Sequence, residues 1–229
     1  MFSADEVTAI WLSVRVATMA MLCGLPFAVA TAYILARWEF RGKVLFDALV
    51  HLPLLMPPVL TGYALLVVLG RQGFVGQWLD QCFGISFAFR WTGAVVAATV
   101  MAFPLFVRSI RLSIEAIPRE IDEMAVTLGA RPWPKFWRVI LPLSFPGIVS
   151  GMVLAFAKAL GEFGATITFV SNIPGETQTL ALAMHTLTQV PGGGSGIARL
   201  AVVSVLISVG ALVASEWLVR RSRYRRSVE

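Results

Sequence analysis

EMAVTLGARPWPKFWRVILP, residues 123–142, is a charged segment with three prolines and one glycine in a chain that is otherwise strongly apolar. Hydrophobic residues make up 57% of the chain and charged residues 14%, whereas soluble domains carry about 25% charged residues. A soluble fold of 229 residues cannot hide so much apolar surface, because its exterior needs polar side chains. The composition therefore predicts a membrane protein, in which this charged segment lies on one surface of the bilayer.

A membrane-crossing helix needs about 20 mostly apolar residues, and lipid offers no hydrogen-bond partners to an open strand. Five segments satisfy the length and composition: residues 11–36, 48–70, 91–112, 139–160 and 198–219. The first follows Asp5 and Glu6 instead of a basic stretch and is too long for a signal peptide, so we interpret it as a retained span. We therefore predict an all-α integral membrane protein with five transmembrane helices, folded as a single domain over residues 1–229.

The basic residues predict the orientation. Fourteen of the 19 lysines and arginines fall in three segments, 37–47, 108–138 and the tail 220–226, which share one side of the membrane if there are five spans. Positive charge marks the cytoplasmic side. The C-terminus is then cytoplasmic, and the N-terminus and the connections 71–90 and 161–197 lie outside. We interpret the basic tail as an orienting feature and not as a nucleic-acid-binding patch.

The cytoplasmic segment 115–138 has the signals of a short helix. Pro118 suits a first helical turn, Asp122 and its acidic neighbours favour the positive end of the helix dipole, and Gly129 suits the stop. Its apolar residues fall at helical spacing: Ile117, Ile121, Met124, Ala125 and Leu128. Such an amphipathic helix can lie on lipid headgroups, pack on its own protein, or dock into a groove of a partner. An acidic polar face disfavours the first alternative.

The same segment resembles the cytoplasmic loop of the permeases of ABC importers. That loop reads Glu-Ala-Ala, three residues, Gly, nine residues, then Ile-x-Leu-Pro. This chain has Glu123-Met124-Ala125, Gly129 and Val139-Ile140-Leu141-Pro142 at the same spacing, departing at Met124 and Val139. The resemblance implies a coupling helix that seats in a cytoplasmic ATPase. The implied coupling residues are Ile121, Glu123, Ala125, Leu128, Gly129, Leu141 and Pro142.

Four further stretches look like the molybdate-transporter permease family: HLPLLMPPVLTGYALL (51–66), RQGFVG (71–76), FPLFVRSIRL (103–112) and ALGEFGATITFVSNIPGETQT (159–179). This resemblance implies a type I ABC importer permease fold in the bacterial inner membrane. It also implies a homodimer that carries molybdate by alternating access, a separate cytoplasmic ATPase and a periplasmic oxyanion-binding protein. Permeases for sulfate, thiosulfate or tungstate remain alternatives.

The chain's own chemistry agrees with a pore subunit and not an enzyme. It contains no G-x-x-x-x-G-K-[ST] loop for ATP, and neither His51 nor His185 is part of a catalytic or metal-binding pattern. We predict no cofactor. A membrane enzyme needs clustered His, Asp or Glu residues at the membrane surface, and the sequence shows no such cluster. A gradient-driven transporter predicts internal repeats, and we find none.

A path for a tetrahedral dianion needs hydroxyls, amides and backbone N–H groups more than fixed cations, which would trap the ion. Prolines interrupt the second span, and glycines followed by polar residues end the fourth. The candidate path or gate residues are Pro57, Pro58, Thr61, Glu162, Gly164, Thr166, Thr168, Ser171 and Asn172. The prolines alternatively only kink a helix, and the hydroxyls only join helices.

Three features lie in the half of the chain's membrane region that is predicted to face outward. Lys158 and Glu162 are four residues apart, so we expect them to neutralise each other on one helix face. Arg15 lies one turn into the first span and can extend to the outer interface. Residues 179–189 are half apolar and predict a short helix on the outer face or a re-entrant piece, before a glycine-rich link over 191–196.

Overall fold

The computed structural model describes residues 2–226, and each regular element within them is helical. The all-α prediction is thereby confirmed. The helices are α1 (Ala4–Arg37), α2 (Lys43–Leu55), α3 (Pro58–Leu69), α4 (Phe74–Phe83), α5 (Trp91–Glu115), α6 (Arg119–Thr127), α7 (Pro132–Lys135), α8 (Leu141–Leu143), α9 (Phe145–Leu160), α10 (Gly164–Val170), α11 (Leu180–Thr188) and α12 (Gly194–Arg226). A π-helical turn, Phe136–Ile140, joins α7 to α8.

Three helices are long and apolar enough to cross a membrane: α1, α5 and the part of α12 up to Trp217. Two further crossings are possible only as bent pairs. α2 and α3 meet at 112°, and the segment 132–143 meets α9 at 68°. The first bend falls at Pro57 and Pro58, which have no N–H to continue a helix. The structure thus allows up to five spans, and the count of five remains a prediction.

α1, α5 and α9 form the centre of the bundle. Their contacts are rich in alanine, including Ala17, Ala94 and Ala98, each no more than 1% exposed. Small residues let membrane helices approach closely, and the van der Waals contacts made at this short distance stabilise their association. One buried cluster lies toward the N-terminal half of α1 and a second toward its C-terminal half. The bundle therefore has a packed core along the whole length of α1.

Several local predictions can be compared directly with the structure. α11 corresponds to the outer helix predicted over 179–189, and α12 begins within the glycine run predicted as a link. α4 and α10 are helices that the hydropathy pattern did not indicate. The side chains of the basic tail, on which the predicted orientation partly depends, lie outside the described part of the chain.

Candidate functional site

The predicted cytoplasmic helix is present as α6. Pro118 precedes its first residue, and Glu120 and Asp122 lie in the first turn. Gly129 ends it with φ of +78°, a left-handed conformation that suits glycine. The N–H of Ala130 then donates to the carbonyl of Ala125 at 2.9 Å, which is the bond expected of a left-handed helix stop. The start and stop signals read from the sequence are confirmed.

The apolar stripe of this helix is divided between two environments. Ile117 is 6% exposed, and Ile121 packs against the same buried cluster that contains Leu35, Ile114 and Ile140. Met124 is 64% exposed and Leu128 is 86% exposed. The first half of the stripe therefore anchors α6 to its own protein, and the second half projects freely.

Asp122 ties α6 to two other parts of the chain. Its Oδ2 lies 3.3 Å from Nε of Arg37, at the end of α1, and its Oδ1 lies 3.6 Å from Nζ of Lys135 in α7. Arg37 also donates from Nη2 to the carbonyls of Ile114 and Ile117, at 3.2 and 3.0 Å. The three charged side chains are each no more than 17% exposed. Sequence reasoning missed this cluster, because its members are far apart along the chain.

The remaining coupling candidates differ in exposure. Glu123 and Pro142 are exposed, Ala125 is half-buried, and Leu141 packs on the core. A recess of about 450 Å³ borders Leu128 and Gly129 and includes the basic side chains of Arg131, Lys135 and Arg138. The exposed end of α6 and this recess form one surface that is apolar at its tip and basic at its side.

A second recess, of about 550 Å³, lies at the other end of α6, between its first residues and the end of α1. Glu39 and Lys43 form part of its wall. The Lys43 ammonium donates to Glu39 at 2.9 Å, and this hydrogen bond lowers the pKa of the Glu39 carboxyl below its usual value. Glu39 is therefore ionised at neutral pH, and the wall is of mixed charge.

The candidate path residues of the second and fourth spans meet where α3 packs on α10. A Cβ added at Gly62 would lie 2.5 Å from the carbonyl oxygen of Ala165, and one at Gly164 would lie 2.7 Å from Cβ of Pro58. The two helices are thus in backbone contact, which only glycine permits at these positions. Thr61 is 6% exposed, and its hydroxyl has no hydrogen-bond partner among the described residues.

Hydroxyl groups on α10 have different environments. Thr166 is 2% exposed, whereas Thr168 is half-buried and donates from Oγ1 to the carbonyl of Gly164 at 2.9 Å. This bond lies within α10, so it satisfies the Thr168 hydroxyl without joining two helices. Pro57 and Pro58 are exposed at the bend before α3.

Glu162 lies at the start of α10 and is 3% exposed. Its Oε2 accepts a hydrogen bond from Nζ of Lys158 at 2.8 Å, and its Oε1 accepts one from the N–H of Ala165 at 3.0 Å. The pairing expected from the spacing of Lys158 and Glu162 is confirmed. The carboxylate is neutralised and caps the helix, so it does not present a bare negative charge.

A polar network follows α10. Asn172 donates from Nδ2 to Oγ1 of Thr186 at 2.8 Å, and Gln178 donates from Nε2 to Oδ1 of Asn172 at 3.0 Å. Ser171, at φ of +65°, is one of two non-glycine residues with positive φ in the described chain, and its carbonyl accepts from Thr177. The sequence analysis named Ser171 and Asn172 but missed Gln178 and Thr186. Only the polar side chains of these two residues could have indicated that they belong to the network.

The two groups of candidates lie at opposite ends of α1. Arg37 holds α6 at one end, and at the other Ser13 Oγ accepts a hydrogen bond from the N–H of Leu180, which begins α11. Twenty-four residues separate Ser13 from Arg37, which at the α-helical rise is roughly 36 Å. The structure therefore brings each group together but keeps the groups apart.

This chain resembles known transporter subunits over nearly its whole length. Residues 24–224 match the family described as binding-protein-dependent transport system inner membrane component. The chain is 54% identical to the molybdenum transport system permease protein ModB of Escherichia coli (strain K12). The 220 aligned residues cover 96% of each chain. The protein of that name in Haemophilus influenzae is 53% identical, with 94% of each chain covered.

The similarity extends to more distant proteins. The sulfate transport system permease protein CysT of Escherichia coli (strain K12) is 34% identical over 202 residues, which are 88% of this chain and 72% of that one. An inward-facing MetNI methionine ABC transporter has a similar fold, with a TM-score of 0.74 at 16% identity over 94% of this chain and 95% of that one. A bacterial ABC transporter involved in alginate import has a TM-score of 0.71 at 17% identity, over 97% and 80%.

The fold is that of a type I ABC importer permease. The chain belongs to the family of inner membrane components of binding-protein-dependent transport systems.

Proposed function

We propose that this chain is the membrane-spanning subunit of an ABC importer that carries molybdate into the cell. The observation that carries the proposal is the 54% identity to a molybdenum permease across 96% of both chains. The 34% identity to a sulfate permease is lower and covers less of both chains. Molybdate and sulfate are both tetrahedral dianions, so the relatives differ in selectivity more than in the chemistry of the path.

ATP hydrolysis by a separate cytoplasmic subunit drives this transport through α6. The exposed tip of the helix, Met124 and Leu128, fits the helix-in-groove mode, in which an apolar face enters a cleft of a partner. Ile121 and Asp122 hold the other half of α6 on the permease. Because one half of α6 is anchored and the other half is free, a movement of the ATPase that displaces α6 also displaces α1 and α7, which Asp122 contacts.

The ion passes near the contact of α3 with α10. This region offers the buried Thr61 hydroxyl and a carboxylate, Glu162, whose charge Lys158 offsets. A dianion is therefore not repelled there, and the lysine at this place in the described chain is paired and would not hold it. The amide and hydroxyl groups around Asn172 form the outer end of the path, on the side where a periplasmic oxyanion-binding protein delivers its ion.

Two copies of the chain enclose the path between them. α3 exposes a row of apolar side chains, Val59, Leu60, Tyr63 and Val67, each at least 47% exposed in the single chain. α10 contacts α3 at Gly62, beside this row. A two-fold pair with these faces toward each other surrounds a central path and matches two ATPase subunits. The N-terminus is then periplasmic, the C-terminus is cytoplasmic, and each copy contributes five spans.

Uptake of radiolabelled molybdate tests the proposal. The chain is expressed with its ATPase and binding protein in a bacterium that lacks its own molybdenum permease. We expect uptake that excess tungstate reduces strongly and that equimolar sulfate leaves nearly unchanged. Uptake abolished by equimolar sulfate would assign the chain to sulfate import instead. No restored uptake of either ion, with the chain present in the membrane, would contradict the proposal.

A further inference from the structure

A groove of about 380 Å³ follows the contact between α1 and α5 on the surface of the bundle. Its wall on α1 is formed by Met19, Cys23 and Phe27, which repeat every four residues along one helix face. Phe87 and Trp91 contribute to the opposite wall, and two threonines are the only hydroxyl side chains that line it. The three α1 side chains are exposed in the single chain, so the groove opens to the surroundings of the bundle.

Arg15 lies at one end of this groove, one turn before Met19. Its guanidinium carbon is 3.8 Å from the centre of the Trp91 ring, a cation–π contact that fixes the side chain over the groove. The residue is exposed, and the salt bridges formed by the described side chains do not include it. A cation within an apolar span is costly without a counter-ion. The groove therefore combines an apolar channel with an uncompensated positive charge.

We propose that this groove binds one anionic phospholipid, with an acyl chain between α1 and α5 and its phosphate at Arg15. Guanidinium and phosphate form charge-assisted, bidentate hydrogen bonds, and the ring of Trp91 already orients the donor. Arg90 immediately precedes Trp91 and is exposed, so a second cation occurs at the same end. Neither arginine is in a salt bridge among the described side chains, and two such cations select a lipid with net negative charge over a zwitterionic one.

The lipid would bind along α1, the helix that Arg37 joins to α6. α1 and α5 pack on each other extensively, and their far ends meet where Arg37 donates to the Ile114 carbonyl. Beneath the groove, a Cβ at Gly24 would lie 3.3 Å from Cγ2 of Thr99, so the two helices are already close there. A bound acyl chain fills the groove above this contact and stabilises the packing of α1 on α5.

Native mass spectrometry of the permease purified with its ATPase tests this inference. The complex is titrated with phosphatidylglycerol or phosphatidylcholine, and the lipids retained per permease chain are counted. We expect the wild type to retain one phosphatidylglycerol at concentrations at which it retains no phosphatidylcholine. Arg15→Gln weakens that retention by ~tenfold, in line with loss of a hydrogen bond to a charged group. Arg71→Gln is the matched control, because Arg71 is exposed on the same predicted side but does not line the groove.

A second variant separates the acyl-chain site from the charge. Cys23→Phe fills the groove without touching Arg15, and we expect the same loss of phosphatidylglycerol. Equal retention of the two lipids by the wild type, or unchanged retention in both variants, would overturn the proposal. So would a Cys23–Cys23 crosslink between two copies in native membranes, in a Cys82→Ser background, because a second permease chain would then cover the groove.

Discussion

Arg37 and Asp122 face each other at 3.3 Å between Nε and Oδ2, where the end of α1 meets the first turn of α6. The pair is the direct link between the helix proposed to receive the ATPase and the longest helix of the bundle. Neither side chain is more than 17% exposed. An ion pair in this position keeps α6 in one orientation relative to α1, so that a movement of α6 also moves α1.

Asp122→Asn tests this link. The neutral amide leaves Arg37 and Lys135 without their carboxylate, and removal of a charged partner in a mostly buried pair costs about 1–3 kcal/mol. We expect the permease to assemble with its ATPase but to hydrolyse more ATP per molybdate imported. The ratio is measured in proteoliposomes. Glu176→Gln is the control, since Glu176 is exposed and far from α6.

The three members of the cluster should not be equivalent. Arg37→Gln removes the Asp122 pair and the bonds to two carbonyls, whereas Lys135→Gln removes only a contact of 3.6 Å. We therefore expect the loss of coupling to be largest for Arg37→Gln and smallest for Lys135→Gln. Equal effects of the two substitutions would show that α6 is not held through Arg37.

Gly62→Val tests the close contact of α3 with α10. The new Cβ would lie 2.5 Å from the Ala165 carbonyl oxygen, so the helices must separate. Overpacking of this kind costs about 1–3 kcal/mol or more. We expect a lower melting temperature in detergent and loss of uptake. Gly210→Val is the matched control, because nothing lies within 4 Å of a Cβ at Gly210. Wild-type uptake by the Gly62 variant would remove this contact from the proposed path.

Lys158 and Glu162 offer a double-mutant cycle. Lys158→Met leaves the buried Glu162 carboxylate with only the Ala165 N–H, whereas Glu162→Gln leaves the less buried Lys158 without a counter-ion. We expect Lys158→Met to reduce uptake and stability more than Glu162→Gln does. The double variant restores much of the loss, with a coupling energy of about 0.5–3 kcal/mol. Strictly additive effects in the cycle would contradict the view that the pair acts as one neutral unit.

Local signals made α6 predictable from the sequence. Pro118, the acidic first turn and Gly129 each restrict the backbone within a few residues, and the structure has the helix where they indicate. The bend at Pro57 and Pro58 was predictable for the same reason, since proline removes a helix bond wherever it occurs. Its angle of 112° was not, because the packing of α3 on α10 determines it.

Contacts between distant residues were not predictable. Arg37 and Asp122 are 85 positions apart in the sequence, and only the fold brings them together. The sequence also did not predict which apolar residues of α6 are buried and which are exposed. Periodicity identifies an apolar face of a helix, but it does not show how much of that face packs on the protein's own core. α10 escaped the hydropathy analysis because a helix of seven residues is shorter than any span. The roles assigned to individual residues of the path remain predictions.

The central claim is that ATP hydrolysis on a separate chain drives molybdate transport through the free end of α6. Reconstitution of the permease with its ATPase and binding protein in liposomes tests it most directly, by the rate of ATP-dependent molybdate accumulation. Gly129→Asn should retain most of the rate, because asparagine tolerates the left-handed conformation. Gly129→Val and Leu128→Glu should lose at least about nine-tenths of it, an effect of about 1.4 kcal/mol.

We expect a second result in the same samples: the two damaging variants release the ATPase during purification, and Gly129→Asn retains it. Molybdate accumulation at the wild-type rate in Leu128→Glu, with the ATPase still bound, would contradict the claim that this surface couples hydrolysis to transport.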